Sequence, residues 1–164
     1  PAYVFDFEHW ESCDPVVSDG EYAYVTLSSD ESRCFRGLNQ LDVFYVADLI
    51  DDISPNDSLD IVNYYSYDRW VASYPMSQPK GLGIDGDLLF ICDGWDGLKV
   101  FDKSAPTLIT NNLIAHFPNI KTYDVIPLTD KKILLMIAED GFYQYDYNDI
   151  NNISLLSHIA VNTP

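Results

Sequence analysis

Apolar and polar positions alternate along this chain in short runs, and Asp-Gly pairs and prolines punctuate them. Lys80-Gly81-Leu82-Gly83-Ile84 alternates and stops at Asp85-Gly86, a strong hairpin signal. Leu88 to Cys92 is an apolar run of strand length, and Asp93-Gly94-Trp95-Asp96-Gly97 has turn chemistry. Leu98 to Phe101 alternates again and Ser104-Ala105-Pro106 breaks it, before a fourth run from Leu108 to Phe117. The same order follows as Asp124 to Leu128, Ile133 to Ile137, Phe142 to Tyr145 and Ile153 to Ile159, with turns at Thr129 to Lys132 and Glu139 to Gly141. Earlier come Asp14 to Ser18, the Asp19-Gly20 turn, Tyr22 to Leu27, and Trp70 to Pro75.

One phrase repeats outright. Asp96-Gly97-Leu98-Lys99-Val100-Phe101-Asp102 returns 44 residues later as Asp140-Gly141-Phe142-Tyr143-Gln144-Tyr145-Asp146, with a diluted form at Asn39-Gln40-Leu41-Asp42-Val43-Phe44-Tyr45. Asp102 and Asp146 end their runs, where a carboxylate accepts backbone N–H groups of the following turn. Self-similarity at this period marks a repeat architecture, and four short antiparallel strands in ~40 residues describe one propeller blade.

The expected fold is therefore all-β: a β-propeller segment of about three four-stranded antiparallel blades, part of a larger propeller. Residues 1–12, with the strand Ala2 to Phe7, are expected to complete a neighbouring blade. Residues 13–75 form the first blade, 76–118 the second and 119–164 the third. The first blade is swollen by inserts at Ser28 to Leu38 and Ala47 to Asp68, the latter acidic and Tyr-rich, with a helical turn expected over 46–53. Three blades fall short of the about four to eight that close a ring. The chain is thus expected to be a fragment, or to close against another copy or another protein; its start at Pro1 without Met is expected of a processed product or a fragment.

Composition supports strands and narrows the partners. The chain is 47% hydrophobic and 14% aromatic, with 12 Tyr and 8 Phe, which suits pleated, half-buried surfaces. Its 26 acidic residues against 9 basic ones leave a net charge of −17, a field that repels nucleic acid and anionic lipid and favours cations or basic protein surfaces. No apolar run approaches the ~18 residues of a membrane span. Of three cysteines, Cys92 reads as a buried hydrophobe, and Cys13 and Cys34 are free to pair if the compartment is oxidising. Without a Cys-x-x-Cys pair and with scattered histidines, a zinc site is not expected.

The second unit resembles the LVIVD repeat of bacterial surface proteins with propeller-like folds. The matching text is Gly81-Leu82-Gly83-Ile84-Asp85-Gly86, Leu89-Phe90-Ile91, Asp96 to Asp102 and Pro106. Cys13-Asp14-Pro15-Val16-Val17 and Asp19-Gly20-Glu21-Tyr22-Ala23-Tyr24-Val25 are similar to the opening of another copy. This resemblance implies a secreted or surface-anchored component, of outer-membrane or lipoprotein type, from Bacteroidetes-type bacteria. It also implies an extracytoplasmic location and a Cys13–Cys34 disulfide, and it brings no catalytic residues.

Propeller geometry would place Asp14, Lys80 and Asp124 just before equivalent inner strands, ringing one channel mouth. Around them would stand Arg33, Arg36, Asp93, Trp95, Glu139 and Asp140. Trp95 is suited either to stacking on a sugar or anchoring a protein, or to packing over a neighbouring blade. Asp51, Asp52, Tyr64 and Tyr65 are the binding candidates of the second insert. Asp93, Asp96 and the carbonyls of 94–97 could ligate calcium, but the same residues are ordinary turn composition and no EF-hand spacing is present, so no cofactor is expected. A carboxylate pair such as Asp14 with Asp124 would suit glycoside cleavage. His9, His116 and His158 accompany no Gly-x-Ser-x-Gly, and no phosphate loop precedes a helix. The expected function is a non-catalytic binding or scaffold module of an envelope complex, presenting loops to a protein partner. The alternative is a carbohydrate-binding or carbohydrate-cleaving propeller.

Overall fold

The computed structural model describes residues 15–29, 38–47 and 69–161. They form three four-stranded antiparallel sheets, in each of which the spatial order follows the chain. Sheet one holds β1 (Val16–Ser18), β2 (Tyr22–Leu27), β3 (Gln40–Tyr45) and β4 (Trp70–Pro75). Sheet two holds β5 (Leu82–Asp85), β6 (Leu88–Cys92), β7 (Leu98–Asp102) and β8 (Leu113–Phe117). Sheet three holds β9 (Thr122–Leu128), β10 (Ile133–Ala138), β11 (Gly141–Asp146) and β12 (Ser154–Ala160).

Local chemistry accounts for the turns. Asp19 Oδ1 accepts from the backbone N–H of Glu21 (2.9 Å) and Tyr22 (2.7 Å), closing the β1–β2 hairpin. Asp102 accepts from Ser104 N at 2.9 Å and Asp146 from Asn148 N at 2.8 Å, the carboxylate stops that the repeated phrase predicts. One run departs from expectation. The stretch from Leu108 to Phe117 begins inside a 3-10 helix, Pro106–Asn111, and only Leu113–Phe117 is strand. Tyr74 decides this from β4: its hydroxyl donates to Pro106 O (2.6 Å) and accepts from Ile109 N (3.3 Å), while Ile109 is fully buried between sheets one and two.

The sheets share two cores. Successive residues of β6 serve them in turn: Leu89 and Ile91 enter the core with sheet one, Phe90 and Cys92 the core with sheet three. All four are completely buried. A strand covered on both faces must be apolar throughout, which is why Leu88 to Cys92 shows no alternation. Burying each large apolar side chain contributes about 1.5–3 kcal/mol. Sheets two and three meet closely because Gly83 of β5, and Gly81 just before it, have no side chains. Gly81 N donates to Tyr123 O at 2.9 Å. A Cβ on Gly81 would overlap Asp124, and one on Gly83 would lie 2.5 Å from Pro127 Cδ.

The expectation of a propeller segment is corrected here. The three sheets are open, and none closes or curls strongly. They meet in a row, sheet one touching sheet two through β1 and β5, and sheet two touching sheet three through β5, β6 and β9. A propeller is a closed circuit of about four to eight blades. Alternation and turn residues specify the four-strand unit, but closure depends on how successive faces meet, which no local pattern encodes. The strand expected within residues 1–12 and residues 48–53 of the expected helical turn lie outside the described residues.

Candidate binding surface around Trp95

The β6–β7 turn is a small rigid frame. Asp93 sits at its base with its side chain fully buried, accepting from Gln78 N (2.7 Å), Ser77 N (3.0 Å) and Lys99 Nζ (2.6 Å). Within the turn, Asp93 N donates to Gly97 O (2.8 Å) and Asp96 N donates to Asp93 O (3.0 Å). Gly97 has φ +84°, and a side chain there would strike the Phe117 carbonyl. Thr122 N donates to Gly94 O at 2.9 Å and ties the turn to β9.

Trp95 stands on this frame, 61% exposed. Lys121 Nζ lies 4.6 Å from the Trp95 ring centre and 5.6 Å from that of Tyr123, and Lys80 Nζ lies 5.9 Å from Tyr123 on the way to β5. The result is a ladder of alternating aromatic rings and ammonium groups, Trp95–Lys121–Tyr123–Lys80, with each cation placed near the electron-rich face of a ring. Lys121 also pairs with Glu139 Oε1 at 2.8 Å. Glu139 and then Tyr123 raise its pKa, so it stays charged. Lys80 is itself held at its backbone: its N–H donates to Cys92 O (2.7 Å) and its carbonyl accepts from Thr26 Oγ1 (2.5 Å).

Other expected residues fall elsewhere. Asp124 is exposed beside Gly81, and Val125 N donates to its Oδ1 at 2.8 Å. Asp140 belongs to a separate group on sheet three, accepting from Tyr143 OH at 2.7 Å. His158 stacks on Tyr143 with ring centres 4.1 Å apart. Burial, then Asp140, pushes the Tyr143 hydroxyl up to about 12. Asp14, Arg33, Arg36, Asp51, Asp52, Tyr64, Tyr65, Cys13 and Cys34 lie outside the described residues. No motif in the sequence singles out Lys121 and Tyr123. Their spacing of two at the head of a strand puts them on one face, but nothing local shows that Trp95 lies above them.

The chemistry of the turn bears on calcium. The carboxylates of Asp93 and Asp96 converge on Lys99 Nζ, at 2.6 and 2.5 Å, so an ammonium occupies the place a hard cation would need. Lys99 holds Asp96 below the usual carboxylate range. Burial works against the charge on Lys99, yet Asp93 and Asp96 raise its pKa overall. Among the described residues no group of three or more His, Cys, Asp or Glu is arranged to hold a metal. Burial pushes the Cys92 thiol well above its ordinary range, which keeps it unreactive. No helix among the described residues is long and apolar enough to cross a membrane.

No protein family matches the chain, and no curated protein sequence matches it. The resemblance to LVIVD repeats is corrected accordingly, together with the outer-membrane and lipoprotein associations it carried. Asp-Gly turns between alternating apolar strands are what any antiparallel meander requires, so the shared phrases reflect hairpin chemistry.

Proposed function

We propose that the chain is a non-catalytic binding module that anchors a protein partner on the Trp95 surface. The observation that carries this is the 61% exposure of Trp95 on a turn whose backbone and base are tied down on all sides. Trp and Tyr are among the side chains that concentrate binding energy at interfaces. A pre-ordered Trp loses little conformational freedom on docking. The matching partner offers an apolar pocket for the indole and an acceptor beside it for Lys121. Segment 48–68, with Asp51, Asp52, Tyr64 and Tyr65, is assigned a second, acidic contact on sequence grounds.

The test is affinity capture from extract of the producing cells, using the wild-type chain and Trp95→Ala as baits. At least one protein should be retained by the first and lost with the second. A capture profile that Trp95→Ala leaves unchanged would remove the surface from consideration. A carbohydrate reading draws on the same residues, since Trp95 and Tyr123 also suit stacking on a pyranose ring. A glycan-array signal abolished by Trp95→Ala would favour it. An extracytoplasmic setting belongs to the proposal: in an oxidising compartment Cys13 and Cys34 would be paired, leaving Cys92 as the single thiol, which a thiol titration in denaturant counts.

A further inference from the structure

Sheet three repeats the stacking pattern of the other two, except that one of its faces is uncovered among the described residues. Leu41 and Val43 of β3 are fully buried against sheet two, and Leu98 and Val100 of β7 are fully buried beneath sheet three. The matching places in β11, 44 residues beyond those in β7, are Phe142 and Gln144, and Phe142 is 50% exposed. Beside it in register stand Ile137 of β10 and Ile159 of β12, the latter 66% exposed.

The strand composition points the same way. Ile133 to Ala138 is apolar at all six positions, the pattern of a strand covered on both faces, as β6 is. Yet Ile133, Leu135 and Ile137 belong to neither core. The complementary face exists at the other end of the row. Val16 and Phe44, on the far side of sheet one, occupy the register positions that Leu82 and Phe101 hold in sheet two and Val125 and Tyr145 hold in sheet three. In sheets two and three those residues receive the preceding sheet. In sheet one, among the described residues, they pack into neither core: Val16 is 59% exposed, and the row it shares with Val25 runs on to the buried Asp42.

We propose that copies of this chain associate head to tail, the Phe142 face of sheet three in one copy stacking on the Val16 face of sheet one in the next. The contact continues the stacking that already joins sheets one, two and three, and it is independent of the Trp95 surface. A face of four strands and five residues measures roughly 19 by 17 Å, small for an interface, so association should depend on concentration. The interface is heterologous: it joins two different patches and leaves one of each exposed.

Light scattering of the wild-type chain, from about 5 to about 200 μM, should show the mass rising from 18.6 kDa to at least twice that value. Phe142→Asp and Val16→Asp should each remain monomeric, while their equimolar mixture forms a dimer through the one intact pair of faces. Ile159→Asp replaces Phe142→Asp if circular dichroism shows the latter unfolded. Trp95→Ala should associate like the wild type, which separates this interface from the partner surface. A wild-type mass constant at 18.6 kDa overturns the proposal, as does self-association persisting in Val16→Asp alone.

Discussion

Replacing Asp93 by alanine should destabilise the fold by about 3–5 kcal/mol, far beyond what its place in a surface turn suggests. Its carboxylate is fully buried and accepts from two backbone N–H groups and the Lys99 ammonium. Hydrogen bonds to a charged group are worth about 1.5–3 kcal/mol each, and the lower part of that range applies because Ser77 is exposed and Gln78 only partly buried. Three such bonds lost, with Lys99 left to Asp96 alone, set the total. Asp96→Ala is the internal control. Its side chain is 39% exposed, and its loss should cost no more than about 1 kcal/mol. With a urea m-value of about 2 kcal/mol/M, Asp93→Ala should lower the unfolding midpoint by roughly 2 M and Asp96→Ala by at most about 0.5 M. Equal shifts for the two variants would refute the reasoning, because burial and bonding at Asp93 would then contribute nothing beyond a surface charge. Since the same carboxylate sets the base of the Trp95 turn, the partner binding proposed for that turn should, if present, weaken in Asp93→Ala even where the fold remains populated.

Gly83→Ala should cost about 1–3 kcal/mol by denaturant unfolding, as its Cβ would meet Pro127 Cδ at 2.5 Å and push sheets two and three apart. Acid should erode stability in a defined direction. Lys99 lowers the Asp96 pKa and Ser104 that of Asp102; at Asp19 burial opposes the shift, but Lys103 and the backbone N–H groups outweigh it. Their contribution is present above the ordinary value of 3.8 and is lost as pH falls through the lowered values, so urea midpoints should drop below about pH 4. Midpoints that stay level there would contradict the pairings. Alkali acts with the opposite sign. Burial, reinforced by Asp140, raises Tyr143 from 10.0 to about 12, and burial also raises Tyr24 and Tyr147. Stability from these hydroxyls is complete below pH 10 and is lost as pH climbs through the raised values, and phenolate absorbance should show these tyrosines ionising last.

The individual strands were legible because their causes are local. Tyr22–Leu27 and Leu88–Cys92 fall where alternation, apolar run and Asp-Gly turn place them, and Asp102 and Asp146 end β7 and β11 by bonding to residues two positions away. What the sequence alone determined, then, was a four-strand unit and its recurrence. The tertiary structure decided everything that depends on distant partners. Pro106–Asn111 is helical because of a hydroxyl on Tyr74 in another sheet, and Asp93 is a buried anchor because Ser77, Gln78 and Lys99 close over it. Trp95 stands beside Lys121 because Gly81 and Gly83 let two sheets approach. The arrangement of sheets belongs to the same class. Each strand's alternation says that it has two faces, but which surface meets each face is a matter of shape across the whole fold. That is why the local repeat suggested a three-blade segment of a larger propeller, and why the contacts between faces instead produced an open row of three sheets.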